Sequence, residues 1–114
     1  MTERLVSTVY HLLRTDGKRV TMRVEWPWNP DLQQLKALVE PLVGGRLDHV
    51  AVLYERRRAD MFVNEDGHDA KLPRNELATS IYRHNWLIQH PHDPPEESPW
   101  IAGTAVLFER IVWR

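Results

Sequence analysis

Two short apolar runs near the middle of the chain, Val50 to Tyr54 and Met61 to Val63, are separated by a charged segment. Short apolar runs on either side of a polar turn are typical of a β-hairpin. A second turn, Asn64 to Gly67, follows, and we expect Gly67 to take a positive φ angle there. The next segment, Leu72 to Asn75, ends in a residue type that commonly begins a helix. The centre of the chain is therefore predicted to be a hairpin followed by a helix.

The N-terminal part of the chain predicts another hairpin. Leu5 to Leu13 is rich in β-forming residues, and Arg19 to Trp26 alternates polar and apolar side chains. Asp16 and Gly17 lie between these segments and tolerate the positive φ angles of a two-residue turn. The alternation predicts that one face of the second strand packs and the other meets water. The prolines of Trp26-Pro27-Trp28-Asn29-Pro30 are expected to end this strand.

Helical spacing of apolar residues occurs twice. Leu32 to Val39 shows it directly after Asn29-Pro30, which we interpret as an N-cap followed by the first helical residue. Pro41 and Gly44-Gly45 are expected to end this helix. A second apolar stripe predicts a helix that follows Asn75 and ends near Ile88.

The final segment, Ala105 to Trp113, is apolar enough to form an internal strand. The resulting order, ββ-α-ββ-α-β, predicts an α+β fold with a small, mainly antiparallel sheet and two helices on one of its faces. A chain of 114 residues fits a single domain, 1–114. Within it, we expect residues 1–28 to form an N-terminal β-hairpin extension of a core at 32–113.

Composition limits the function classes. Cysteine is absent, which excludes disulfides, thiolate metal sites and cysteine nucleophiles. The formal net charge of −1 lacks the positive excess that is typical of nucleic-acid-binding domains. No apolar run approaches the length of a membrane span, and charged residues interrupt the N-terminal segment where a signal peptide would need an apolar core. We therefore expect a cytoplasmic protein that does not bind a membrane.

Four short motifs follow one another along the chain: Leu42-Val43-Gly44-Gly45, Asn64-Glu65-Asp66-Gly67, Leu72-Pro73-Arg74-Asn75 and Ile101-Ala102-Gly103-Thr104. In this order they resemble the signature of a small domain-of-unknown-function family, number thirty-eight forty-six, found in bacteria, phages and mobile elements. The resemblance covers roughly residues 32 to 110, and the segment 84–99 is longer than the family usually has. It implies an association with phages or mobile elements. It implies no catalytic residues, because the family has no assigned activity.

The tryptophans supply one candidate binding surface. Trp26 and Trp28 flank Pro27 at the end of the predicted strand, and tryptophan is enriched in the energetically dominant parts of protein interfaces. The alternative is that these rings close the open ends of a small core. We take Trp26 and Trp28 as candidate binding residues.

A cluster of arginines supplies another candidate. Arg56, Arg57 and Arg58 lie in or beside the central turn, and Arg74 lies before the second helix. Guanidinium groups that converge could bind a phosphate or a carboxylate through paired hydrogen bonds. The alternative is that they face water and pair weakly with neighbouring acids.

A group of histidines, His84, His90 and His92, with Asp93 and Glu96 close by, could in principle bind Zn²⁺ or Ni²⁺. Their spacing matches no established metal motif, and a proline-rich loop offers no rigid support for ligands. We therefore expect solvated loop histidines, with no metal and no cofactor.

No nucleophile elbow, phosphate-binding loop or His-Glu-x-x-His segment is present in the sequence. We therefore expect a non-enzymatic domain without catalytic residues that binds another protein or a second copy of itself as a homodimer. The closing strand and the exposed edge of the N-terminal hairpin are the expected pairing edges. One alternative is a nucleic-acid-binding accessory protein that uses Arg56 to Arg58. A weaker alternative is a metal-dependent hydrolase.

Overall fold

The computed structural model describes residues 4–114. In this part of the chain a five-stranded antiparallel sheet combines with two α-helices in the order ββ-α-ββ-α-β, which confirms the predicted α+β fold. The elements are β1 (Leu5–Leu13), β2 (Arg19–Pro27), α1 (Leu32–Val43), β3 (Leu47–Tyr54), β4 (Arg57–Asn64), α2 (Glu76–Gln89), a short 3-10 helix (Pro95–Glu97) and β5 (Ala105–Phe108). Neither helix within these residues is long and apolar enough to cross a membrane.

The last strand lies at the centre of the sheet, whose strand order is β2-β1-β5-β4-β3. All four residues of β5 are buried, as expected for an internal strand. The prediction that this strand continues to Trp113 is wrong, because the chain leaves the sheet after Phe108. The backbone N–H groups of Val112 and Trp113 instead donate to Oδ2 of Asp60, both at 2.7 Å. The C-terminal segment is therefore held across the sheet by one buried carboxylate.

The two helices cover opposite faces of the sheet, so the prediction that both lie on one face is wrong. Successive residues of a strand point to opposite faces. In β4, Phe62 belongs to the cluster that α1 covers, whereas Met61 belongs to the cluster under α2. β5 is apolar at every position, and a strand of this kind requires cover on both sides.

Helix α1 begins two residues later than predicted. Asp31, not Asn29, is its N-cap: the Asp31 carboxylate accepts from the backbone N–H of Gln34, and the Gln34 side chain accepts from the N–H of Asp31. This reciprocal pair is a capping box. Pro41 lies inside the helix and does not end it. The helix ends at Gly44, whose positive φ of 80° suits the left-handed C-cap position.

The two hairpin turns differ from the expected geometry. The β1–β2 turn is longer than two residues, because the N–H of Gly17 bonds to Arg14 O and only Gly17 takes a positive φ. The β3–β4 turn is the two-residue type, and both of its residues, Glu55 and Arg56, have positive φ. Gly67 does not have the expected positive φ; a Cβ there would lie 2.7 Å from Ala102 O, so the position requires glycine for lack of space.

Candidate functional site

The two edges of the sheet differ in how their backbone groups are used. At the β3 edge, the N–H of Leu47 donates to the carboxylate of Glu40 at 3.0 Å, and the carbonyl of Ala51 accepts from Asn85 Nδ2 at 3.1 Å. Side chains from α1 and α2 thus occupy hydrogen-bonding groups that another strand would need. An edge blocked in this way resists pairing with a further strand.

At the β2 edge, the outward groups belong to alternate residues. The N–H of Arg14 donates to the carbonyl of Lys18, so the even-numbered residues of β2 bond to β1. The N–H and C=O groups of Arg19, Thr21, Arg23 and Glu25 therefore point away from the sheet, and within residues 4–114 no side chain binds them. This edge is open over four alternating positions.

The two faces of β2 carry different kinds of side chain. On the α1 side, Val20 and Met22 are 38% and 39% exposed, which is a large exposure for apolar strand residues. On the other side, Arg19, Arg23 and Glu25 are exposed. The open edge therefore has an apolar rim on one face and a charged rim on the other.

The two candidate tryptophans have different roles. Trp26 is only 7% exposed and stacks on Phe108, with ring centroids 5.4 Å apart. It is a core residue, so it is withdrawn as a surface-binding candidate. Trp28 is 53% exposed, and the guanidinium of Arg110 lies 4.5 Å from its ring centroid.

Arg110 fixes the chain where β2 ends. Its Nη1 donates to Trp28 O at 2.7 Å, and its Nη2 donates to Pro27 O at 3.2 Å and to Thr8 Oγ1 at 2.9 Å. Burial lowers the pKa of Arg110 below its ordinary value, and the positive charge of Arg114 adds to this effect. The exposed Trp28 ring is thus presented on a rigid corner.

The candidate arginines do not form one cluster. Arg56 is in the turn, and Arg57 and Arg58 are successive residues of β4, so their side chains point to opposite faces. Arg74 lies elsewhere and pairs with Glu76 at 2.8 Å, beside the ring of Trp100. The structure therefore does not bring these four side chains together around one anion.

The histidines of the proline-rich region are also dispersed. His84 lies on α2, whereas His90 follows this helix, stacks on Trp86 at 4.4 Å and hydrogen-bonds to Trp86 O. Among the residues that the structure describes, no group of three or more histidine, cysteine, aspartate or glutamate side chains is placed to hold a metal ion.

Two histidines inside the fold, the buried His11 and the half-buried His49, were not identified from the sequence. His11 of β1 lies with its Nδ1 3.0 Å from Thr21 Oγ1 of β2 and its Nε2 2.8 Å from Oε1 of Glu109, the residue that follows β5. His49 Nε2 lies 2.7 Å from Asp60 Oδ1. The available signal was Asp60 itself, a charge that interrupts the apolar run from Ala59 to Val63.

No family model matches this chain, and no curated protein and no solved structure matches it. The resemblance to the domain-of-unknown-function family stays a prediction from four short motifs.

Proposed function

We propose that this protein is a non-enzymatic binding domain of the cytoplasm that forms a homodimer by pairing the β2 edges of two copies. The observation that carries the proposal is the contrast between the edges: Glu40 and Asn85 each occupy one outward backbone group of β3, whereas within the described residues no side chain occupies those of β2. Strand addition supplies a row of main-chain hydrogen bonds without any further conformational change.

The charges of β2 select one antiparallel register. Two-fold symmetry about Met22 places Arg19 opposite Glu25 of the second copy and Thr21 opposite Arg23 of the second copy. All four outward-facing residues then have outward-facing partners, which gives about eight main-chain hydrogen bonds, two for each of four pairs. The oppositely charged pair occurs twice, once on each side of the axis.

The apolar rim supports the same register. Met22 meets Met22 of the second copy on the symmetry axis, and Val20 meets Val24 of the second copy. Both exposed apolar residues of this rim become covered. A shift by two residues toward the turn would instead place Arg19 opposite Arg23, and like charges directly opposite one another destabilise a strand pair.

The two-fold symmetry of the proposed dimer also places Trp28 at the interface. In this register it lies at the end of the paired segment, beside the β1–β2 turn of the second copy. Because Arg110 holds the corner, the ring needs little ordering on binding. Trp28→Ala is therefore expected to weaken the dimer without unfolding the protein.

Light scattering with size-exclusion chromatography tests the proposal. Wild-type protein at about 100 µM should have twice the monomer mass, since strand-paired dimers of modest interface commonly bind in the micromolar range. Met22→Lys and Met22→Glu should each be monomeric, because each places like charges together on the axis. Mixing these two variants should restore a dimer, since Lys then meets Glu.

Leu87→Lys is the matched control, because Leu87 is an exposed apolar residue of α2 at 37% exposure, close to that of Met22. It should remain dimeric. A wild-type monomer at this concentration would refute self-association. A dimer that persists in Met22→Lys, or a mixture that stays monomeric, would show that the copies meet elsewhere.

A further inference from the structure

The two-fold axis of the homodimer lies close to one arginine of each copy. On the face of the sheet that α2 covers, the residues nearest the axis are Thr21 and Arg23, because Met22 points to the other face. Thr21 lies directly opposite Arg23 of the second copy, so the two Arg23 residues are diagonal neighbours. Diagonal neighbours in an antiparallel strand pair are about 7–8 Å apart. Both guanidinium groups are therefore long enough to reach one point on the axis.

Arg23 has no acidic partner within one copy. It is exposed, and among the residues that the structure describes it forms no ion pair. Its side-chain hydrogen bond within these residues runs from Nη1 to Ser7 Oγ, at 3.2 Å and on the surface. A surface hydrogen bond to a hydroxyl contributes little to stability, so the side chain turns toward the axis at small cost.

The register of the dimer does not supply an acid for Arg23 either. Glu25 of each copy lies opposite Arg19 of the other, and only the hydroxyl of Thr21 lies opposite Arg23. Two arginines and one glutamate from each copy thus face this side of the strand pair, which leaves one unbalanced positive charge per copy. Like charges that are close together across a strand pair destabilise it. The two Arg23 side chains therefore favour an anion between them.

The surface above the axis is open. Thr21 and Arg23 are exposed, and the hydrophobic cluster under α2 contains no residue of β2. Thr21 Oγ1 lies 3.0 Å from Nδ1 of the buried His11, so this hydroxyl is directed toward β1 and away from the axis. A small anion from solvent thus reaches the axis without displacing a core side chain.

We propose that the dimer binds one doubly charged phosphate group on its two-fold axis, between Arg23 of one copy and Arg23 of the other; this site rests on the homodimer proposed above. Each guanidinium donates paired hydrogen bonds to phosphate oxygens, and such charge-assisted bonds are stronger than the bond to Ser7 that they replace. The two negative charges balance the unbalanced charge of the two copies. Because the complete site exists only in the dimer, phosphate shifts the equilibrium toward the dimer.

Sedimentation velocity of a dilution series tests the proposal. The dissociation constant of the dimer is measured at about pH 8, where phosphate carries two charges, and a sodium chloride buffer of equal ionic strength keeps the screening the same. Phosphate at about 20 mM should lower this constant about fivefold, the factor for an anion that binds the dimer with a dissociation constant of about 5 mM. Inorganic phosphate and phenyl phosphate are the two probes, and the larger effect identifies the free ion or the monoester as the ligand.

Two arginines on the same face give matched variants. Arg23→Gln should remove the phosphate effect and dimerise in chloride at least as tightly as wild type does, because the repulsion at the axis is gone. Arg57→Gln removes the same charge from β4, away from the β2 edge, and should keep the full effect. The comparison also separates binding at the axis from the general strengthening of association by phosphate salts.

The outcomes distinguish the phosphate site from the dimer itself. A protein that stays monomeric at about 100 µM in chloride and in phosphate alike would refute the dimer, and the site with it. A dimer with the same dissociation constant in both salts would refute the phosphate site alone. The site is also refuted if Arg23→Gln keeps the phosphate effect or Arg57→Gln loses it.

Discussion

Asn75 connects three parts of the fold through one buried side chain. Its Oδ1 accepts from the N–H of Ala78 and caps α2, and its Nδ2 donates to Leu13 O at 2.8 Å and Gly103 O at 2.9 Å. The side chain is fully buried, so no water replaces these bonds when it is removed.

We predict that Asn75→Ala lowers the free energy of unfolding by about 3 kcal/mol, from the lost cap and two unsatisfied carbonyl groups. Urea denaturation at a fixed protein concentration measures this. Asn29→Ala is the control, because Asn29 is exposed and does not cap α1, and its effect should stay within about 0.5 kcal/mol. Equal effects of the two substitutions would contradict the assigned roles.

Two glycines are required for different reasons. A Cβ at Gly67 would lie 2.7 Å from Ala102 O and 3.3 Å from Asn64 O, and both contacts are with backbone atoms. At Gly17 there is open space, but the φ of +86° is unfavourable for other residues.

Gly67→Ala is predicted to destabilise the protein by about 2–3 kcal/mol, because the backbone must shift to remove the overlap. Gly17→Ala should destabilise it by about 1 kcal/mol, which is the conformational term alone. Thermal melts of the two variants compare these effects. A Gly17→Ala variant with the lower melting temperature would show that the close approach at Gly67 is easily relieved.

At the scale of elements, the β3–β4 turn stores backbone strain. Glu55 and Arg56 have φ angles of 50° and 67°, and side-chain-bearing residues other than Asn and Asp seldom take such values. A two-residue turn requires them because its twist must match that of the flanking strands.

Replacing Glu55-Arg56 with Asn-Gly should therefore raise the free energy of unfolding by about 1–2 kcal/mol, since asparagine and glycine both tolerate positive φ. Chemical denaturation gives the value. The double substitution to Gln-Gln removes the same charges and keeps the backbone strain, so it should change stability by less than about 0.5 kcal/mol. If Gln-Gln stabilised the protein as much as Asn-Gly, the removal of the charges, and not the relief of backbone strain, would explain the gain in stability.

At the scale of the whole molecule, the candidate arginines do not form one positively charged surface. Arg57 and Arg58 point to opposite faces, Arg74 pairs with Glu76, and the chain has a formal net charge of −1. Affinity for nucleic acid depends on neutralising several phosphates at once.

We therefore predict that a short labelled DNA or RNA strand binds no tighter than about 10 µM at physiological salt. Fluorescence anisotropy provides the measurement. Sub-micromolar binding that falls steeply with salt and is weakened by the combined Arg56→Ala, Arg57→Ala and Arg58→Ala substitutions would support the nucleic-acid alternative instead.

Local patterns in the sequence determined the elements of this protein and their order. Three such patterns are the alternation in β2, the apolar run of β5 and the cap residue Asn75. Each involves residues that are close together in the sequence, so it can be recognised before the tertiary structure is known. The sequence did not show that Trp28 is exposed and Trp26 is buried. The two residues are separated by one proline, and only the position of Phe108 shows which ring enters the core.

The tertiary structure alone decided which faces the helices cover, which edge stays open and which groups surround Asp60. The face of each helix depends on how α1 and α2 cross a sheet whose central strand is apolar on both sides. The difference between the two edges depends on Glu40 and Asn85, which reach β3 from separate helices and leave β2 untouched. His49, Asp60 and Trp113 meet across three chain segments, and such long-range contacts leave no local pattern in a sequence.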